Sequence, residues 1–212
     1  MAPEGLGGDA FDMAGTRERT DFWPADPHGA VPPAVVCVLN GSPPGRAAAG
    51  YAAALSRALQ WRLGLVASGL RALDIEALAM AVADERPGLV VVPVESCEQP
   101  ADAVELANRA NVPVIVIPSR WRIDTARDGD VVVLAREELP GLAGVATHIA
   151  LAWGARLRLQ HGHLGAPGDT GRDARSRLNV AAADDARAIR ASWGVEPVML
   201  VPRAESSQRF AA

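Results

Sequence analysis

The chain is 212 residues long, 49% hydrophobic and 22% charged, with a formal net charge of −4 at pH 7. This length and apolar fraction suit one domain or two small ones around a sizeable core. The weak, mixed charge is ordinary solubilising charge and does not point to a polyanion-binding surface, and turns or charges break every apolar run before it could span a bilayer.

Residues 1–33 mix glycine, proline and charge without a sustained period. They are expected to form a mobile arm, with Phe22 and Trp23 available to dock onto the body. Glu4 and Asp9 stand where a secretory signal would place a basic segment and an apolar run, so the expected location is cytoplasmic. Ala34–Leu39 is apolar throughout, as for a parallel strand covered on both faces. Asn40-Gly41-Ser42-Pro43-Pro44-Gly45 then turns, and an alanine-rich helix is predicted over 46–60 with Leu55 and Leu59 stacked one turn apart. Trp61 and residues 63–66 make a weaker second strand. The next helix, over 70–86, carries Ile75, Leu78, Ala79 and Val82 as an amphipathic stripe, and Pro87-Gly88 stops it.

Residues 89–92 and 112–117 read as the third and fourth strands, joined by a helix over 101–110. Strand and helix in this alternation imply right-handed crossovers and a parallel sheet. Residues 119–129, with Arg120-Trp121-Arg122, read as a linker packed on the surface. Beyond it come a strand over 131–134, a helix over 142–153 and a half-exposed strand over 156–161. A polar, glycine-rich loop over 162–176, a helix over 181–193 and a closing strand, Val198–Val201, complete the second half.

The halves echo each other. Pro113-Val-Ile-Val-Ile-Pro118 returns as Pro197-Val-Met-Leu-Val-Pro202, and a tryptophan follows the first long helix of each half, at Trp61 and Trp153. The shared order points to duplication. The boundaries that follow are an arm at 1–33, units at 34–118 and 130–202, a linker at 119–129 and a tail at 203–212.

The order of elements resembles the universal stress protein family in tandem form. The residues that carry the resemblance are 35–42, the helix over 46–60, and 89–92 and 112–118; in the second half they are 131–134, 157–161 and 195–202. The resemblance implies an α/β architecture of two related three-layer units with mainly parallel sheets, Rossmann-like and of the adenine-nucleotide-alpha-hydrolase-like kind. It also implies pairing of the two halves within one chain. Nucleotide-binding members carry a glycine-rich segment after the fourth strand, which lets backbone N–H groups reach phosphates. Here the matching stretch, Pro93 to Pro100, has no glycine and carries Glu95 and Glu98, which repel phosphate. Asn40 stands where the family has an acidic residue. In the second half Ala135-Arg136-Glu137 occupies the equivalent turn, and Gly165, Gly168 and Gly171 follow the second strand, out of place for a phosphate loop. No cofactor is expected, ATP included.

Asn40, Gly41, Ser42 and Arg46 form the best candidate site, at the C-terminal end of a parallel strand where open sheets place ligands. The helix N-terminus and Arg46 would favour an anion. The competing reading is an ordinary turn in which Asn40 and Ser42 bond the backbone. His161 and His163 with Asp169 or Asp173 specify no metal geometry, and His148 reads as a core-edge residue. Cys37 reads as an inert core thiol and Cys97 as a loop residue. Residues 34–118 contain no histidine to activate Ser42, and there is no nucleophile elbow.

The leading expectation is therefore a non-catalytic, stress-response-like protein with an internal pseudo-dimer and homo- or hetero-protein partners. Neither a specific nucleic acid nor a membrane is expected as a partner. The alternatives are a small-ligand or nucleotide sensor at the Asn40–Arg46 turn and, more remotely, a small-molecule enzyme.

Overall fold

The computed structural model describes residues 33–67, 75–97, 99–121, 129–135, 140–161 and 176–202. Its first half runs β1 (Ala34–Leu39), α1 (Pro43–Leu59), β2 (Arg62–Ala67), α2 (Ile75–Asp84), β3 (Pro87–Pro93), a short 3₁₀ turn (Val94–Ser96), α3 (Pro100–Ala110) and β4 (Val114–Ile117). The second runs β5 (Asp130–Ala135), α4 (Pro140–Trp153), β6 (Leu157–His161), β7 (Ser176–Ala182), α5 (Ala186–Ser192) and β8 (Val198–Val201).

All eight strands join one sheet, ordered β2-β1-β3-β4-β8-β7-β5-β6, so strands expected in two sheets lie in one. Every neighbouring pair is parallel except β4 and β8. The reason is visible in the sequence of those two strands. Each is a short run of fully buried aliphatic residues with no charge, and such a strand left at an open edge would be a template for aggregation. Pairing them removes both edges from solvent.

The register repeats on either side of that join. Val35 pairs with Leu63 and Leu89, and Val131 pairs with Leu157 and Leu178. The same irregularity falls between Ala34 and Val35 as between Asp130 and Val131. Across the join Val114 pairs with Leu200, Ile115 with Met199 and Val116 with Val198.

Alternation along the strands sends Val35, Cys37, Val131 and Val133 to one face with α1 and α4. Val36, Val38, Val132 and Leu134 go to the other, under α2, α3 and α5. Helices therefore cover both faces, and the inner strands are mainly apolar because both of their sides are dry, while much of edge strand β2 is exposed.

Several expectations need correction. β7 was expected as the end of a loop and the start of a helix. Arg177 and Asn179 hide its period, but Leu178 and Val180 are buried and Asn179 donates to Glu196 at 2.9 Å, so sheet pairing overrides the alanine-rich helical signal. α5 begins only at Ala186, where Asp185 accepts from the Arg187 and Ala188 amides. Pro87 opens β3, a position that tolerates the missing N–H. Trp121, at the start of the expected linker, is buried, 5.0 Å from the Tyr51 ring. Trp61 and Trp153 are not counterparts either. The left-handed residues closing the two helices are Gln60 and Gly154, so Trp61 lies just beyond its cap and Trp153 just before. The expected arm, the tail, His163, Asp169, Asp173 and the glycines at 165, 168 and 171 lie outside the described residues.

Truncating the centre of the join tests its weight. Ile115→Ala and Met199→Ala each remove a fully buried side chain and should each cost about 2–5 kcal/mol. Urea unfolding followed by both far-ultraviolet circular dichroism and tryptophan emission should show the loss in one coincident transition for the whole chain.

Candidate functional site

The turn after β1 is built from three of the four predicted site residues, Asn40, Gly41 and Ser42. Ser42, in extended conformation, caps α1: its Oγ accepts from the Gly45 amide at 3.1 Å. Gly41 takes φ +73, open to a residue without a Cβ. Asn40 is buried, and its Oδ1 accepts twice, from the Ser42 amide at 3.1 Å and the Ser42 hydroxyl at 2.6 Å. Because an amide N–H can only donate, the atom facing it must be the oxygen, which fixes the Asn40 flip. Its Nδ2 then points the other way and donates to Ser96 Oγ at 3.3 Å.

That last bond joins the C-terminal ends of the neighbouring strands β1 and β3. The chain leaves β1 through α1 on one face toward β2, and leaves β3 through α3 on the opposite face toward β4. The C-terminal ends of β1 and β3 therefore flank a topological switch point, where doubly wound sheets open a ligand crevice. Here Asn40 and Ser96 span it. Sequence reasoning does not single out Ser96, which lies in a stretch without glycine; a small polar residue just past a buried strand is the available signal.

The anion-binding capacity of the α1 N-terminus is spent. Pro43 and Pro44 at the first helical positions have no N–H. The Gly45 amide goes to Ser42 Oγ and the Arg46 amide to the Ser42 carbonyl at 3.2 Å. Gly45 is pressed against Asn40, where an added Cβ would stand 2.6 Å from Oδ1. Arg46 itself projects from the exposed side and is not brought to Asn40 by any hydrogen bond. At α3, Asp102 places its own carboxylate at the helix start, accepting from the Gln99 amide at 3.0 Å. This occupies the positive end that a phosphate would use. Glu95 is exposed on the 3₁₀ turn beside it.

Protein-family models, curated proteins and solved structures give no match to this chain. The site must be read from its own chemistry. Ser42 donates its hydroxyl proton to an amide oxygen, an acceptor too weakly basic to generate a nucleophile. His148, expected at the core edge, is exposed on α4 with its ring 6.4 Å from Trp61. The stripe of Leu142, Val145, Ala146 and Ile149 buries the opposite side of that helix. Among the described residues no group of three His, Cys, Asp or Glu side chains is placed to hold a metal.

Both thiols are free and buried. Burial pushes each up to about 12, with Asp102 adding to the effect at Cys97. They stay protonated at neutral pH and are poor nucleophiles.

Two measurements follow from this geometry. Ser42→Ala should cost about 1 kcal/mol through the lost cap, and Asn40→Ala about 1–3 kcal/mol through the stranded partners. Arg46→Ala should stay within about 0.5 kcal/mol, with denaturant midpoints as the readout. The thiols also set a pH dependence. Unfolded thiols ionise near 9.0 and the folded ones only near 12, so the unfolded chain sheds protons first. Stability should fall as pH rises across that window, and Cys37→Ala should make the fall shallower.

Proposed function

We propose that this chain is a non-catalytic, universal-stress-like protein in which two related α/β units, 34–118 and 130–202, pair within one polypeptide as the subunits of a homodimer would. One observation carries the reading: the β4–β8 pairing is self-complementary about Ile115 and Met199. Val114 lies beside Val90 as Val198 lies beside Asn179, so each side of the join offers the other an equivalent strand. That is the signature of an isologous contact. Equivalent hydrogen bonds support it: the Val90 amide donates to Pro113 O at 2.9 Å, and the Asn179 amide to Pro197 O at 2.9 Å. The echoed Pro113 and Pro197 thus have matching roles.

The adenine-nucleotide-alpha-hydrolase-like architecture belongs to the same reading, without the nucleotide. A phosphate arriving at the switch point would meet a closed Asn40–Ser96 bridge, two prolines and the Asp102 carboxylate. Action through protein contacts in the cytoplasm, in place of ligand turnover, completes the proposal. The position of Asn40 in the crevice favours a second reading, a sensor whose small ligand opens that bridge.

Light scattering should give a mass near the 22.1 kDa of one chain, because the internal join already fills the dimer's role. Calorimetry with ATP, with and without magnesium, should show no binding in the low-micromolar range, about −8 kcal/mol. A stable dimer would count against internal pairing as a substitute for association. Tight ATP binding abolished by Asn40→Ala would replace the leading reading with the sensor.

A further inference from the structure

The seam between α1 and α4 contains polar groups that the fold does not explain. Tyr51, on the buried side of α1, is 1% exposed, and its hydroxyl has no hydrogen-bond partner. Trp153, the last residue of α4, has an indole N–H that is also buried and without a partner. The two rings meet edge to face at 5.3 Å. Arg177, on β7, lays its guanidinium 4.4 Å from the Trp153 ring centroid and donates to the Trp153 carbonyl at 3.4 Å. Burial pushes the Tyr51 hydroxyl well above its ordinary range, and the positive charge of Arg177 opposes that shift. The field of the guanidinium therefore reaches the hydroxyl.

Buried tyrosine hydroxyls and indole N–H groups nearly always find a partner, and an orphan of either kind calls for one. The register shows that the scaffold does not impose these groups. Helix ends matched at Gln60 and Gly154 set Tyr51 against Val145 and Leu59 against Trp153. Strands matched at Leu89 and Leu178 set Gly88 against Arg177. The counterpart of the polar trio is thus Val145, Leu59 and Gly88, apolar throughout. One side of the join carries these apolar residues, with the Trp61 ring against Gly88, and the other carries donors. Trp153 and Arg177 are half-buried as residues, while the Tyr51 hydroxyl and the Trp153 indole N–H are themselves buried.

We propose that Tyr51, Trp153 and Arg177 form a binding site for a small oxyanion, a carboxylate or phosphate oxygen, at the α1–α4 seam. The chemistry selects the ligand. An indole N–H and a guanidinium only donate, and a phenol donates most strongly to an anion. A cation or a pure donor would find nothing to bind. The site is separate from the Asn40 turn and does not depend on the non-catalytic reading, though the comparison of its two sides uses the same register.

The test uses the full chain, with sodium acetate and sodium phosphate as separate probes against sodium chloride of equal ionic strength. Either probe should raise the thermal midpoint of the wild type by about 5 °C at saturating concentration and shift tryptophan emission with a hyperbolic dose response. Acetate and phosphate arms distinguish a planar carboxylate from a tetrahedral ligand. Tyr51→Phe removes the orphan hydroxyl, so it should fold at least as stably as wild type and bind at least fivefold more weakly. Arg177→Gln provides a second variant, expected to lose the response while keeping the far-ultraviolet spectrum. A general salting effect would move all three proteins alike. An equal response in wild type and Tyr51→Phe, or none in the wild type, overturns the proposal.

Discussion

The antiparallel contact between β4 and β8 is the constraint on which the rest of the structure depends. A parallel strand pair needs a long crossover, so each half starts at an inner strand, winds outward to an edge strand, then reverses and winds to the join. Winding alone leaves an apolar strand with no neighbour on its outer side. Val114–Ile117 and Val198–Val201 supply that neighbour to each other. Reversal of direction at this pair lets the two windings meet in one sheet. Four strands on each side then share one twisted sheet and two continuous apolar layers.

Once the join is fixed, the helices have little freedom. α1 and α4 are forced onto one face and meet above the central strands, so residues on their facing sides pack across the join. Tyr51 reaches this seam from α1 and is flanked by Trp121 and Trp153. A purely structural seam would be served by aliphatic side chains, as Val145 and Leu59 serve the opposite side. Aromatic groups contribute large buried area there, but their polar ends have to be satisfied.

Much of this architecture was legible in the chain itself. The long apolar strands and the alanine-rich α1 announce themselves by period and composition, and the paired proline-bounded strands marked the residues that meet at the join. The sequence could not say that those two strands would touch, because valine runs carry no pairing code of their own. β7 escaped notice for a different reason. Arg177 and Asn179 are polar residues on a buried strand, and they pack against Trp153 and Glu196, both distant in sequence. The Asn40 turn was found from its residue types, while its partner Ser96 lies 56 residues away. Local spacing cannot reveal a bond of that kind.

An amide in place of a carboxylate would be hard to explain at position 40 without that partner. Asn40 is 9% exposed and holds one donor and one acceptor toward different elements. Its oxygen takes two bonds from Ser42 and its nitrogen gives one to Ser96, so the network is neutral and closed. A carboxylate there would present a second acceptor to Ser96 and carry a charge into a nearly dry crevice, with Asp102 and Glu95 on neighbouring turns. Desolvation and like-charge repulsion would both raise its cost. A carboxylate suits a crevice that holds a solvated ligand or a cation; an amide suits one bridged by protein. The identity of residue 40 therefore follows from closure of the switch point, and the closed bridge in turn fixes how α1 leaves β1 and lies across the seam.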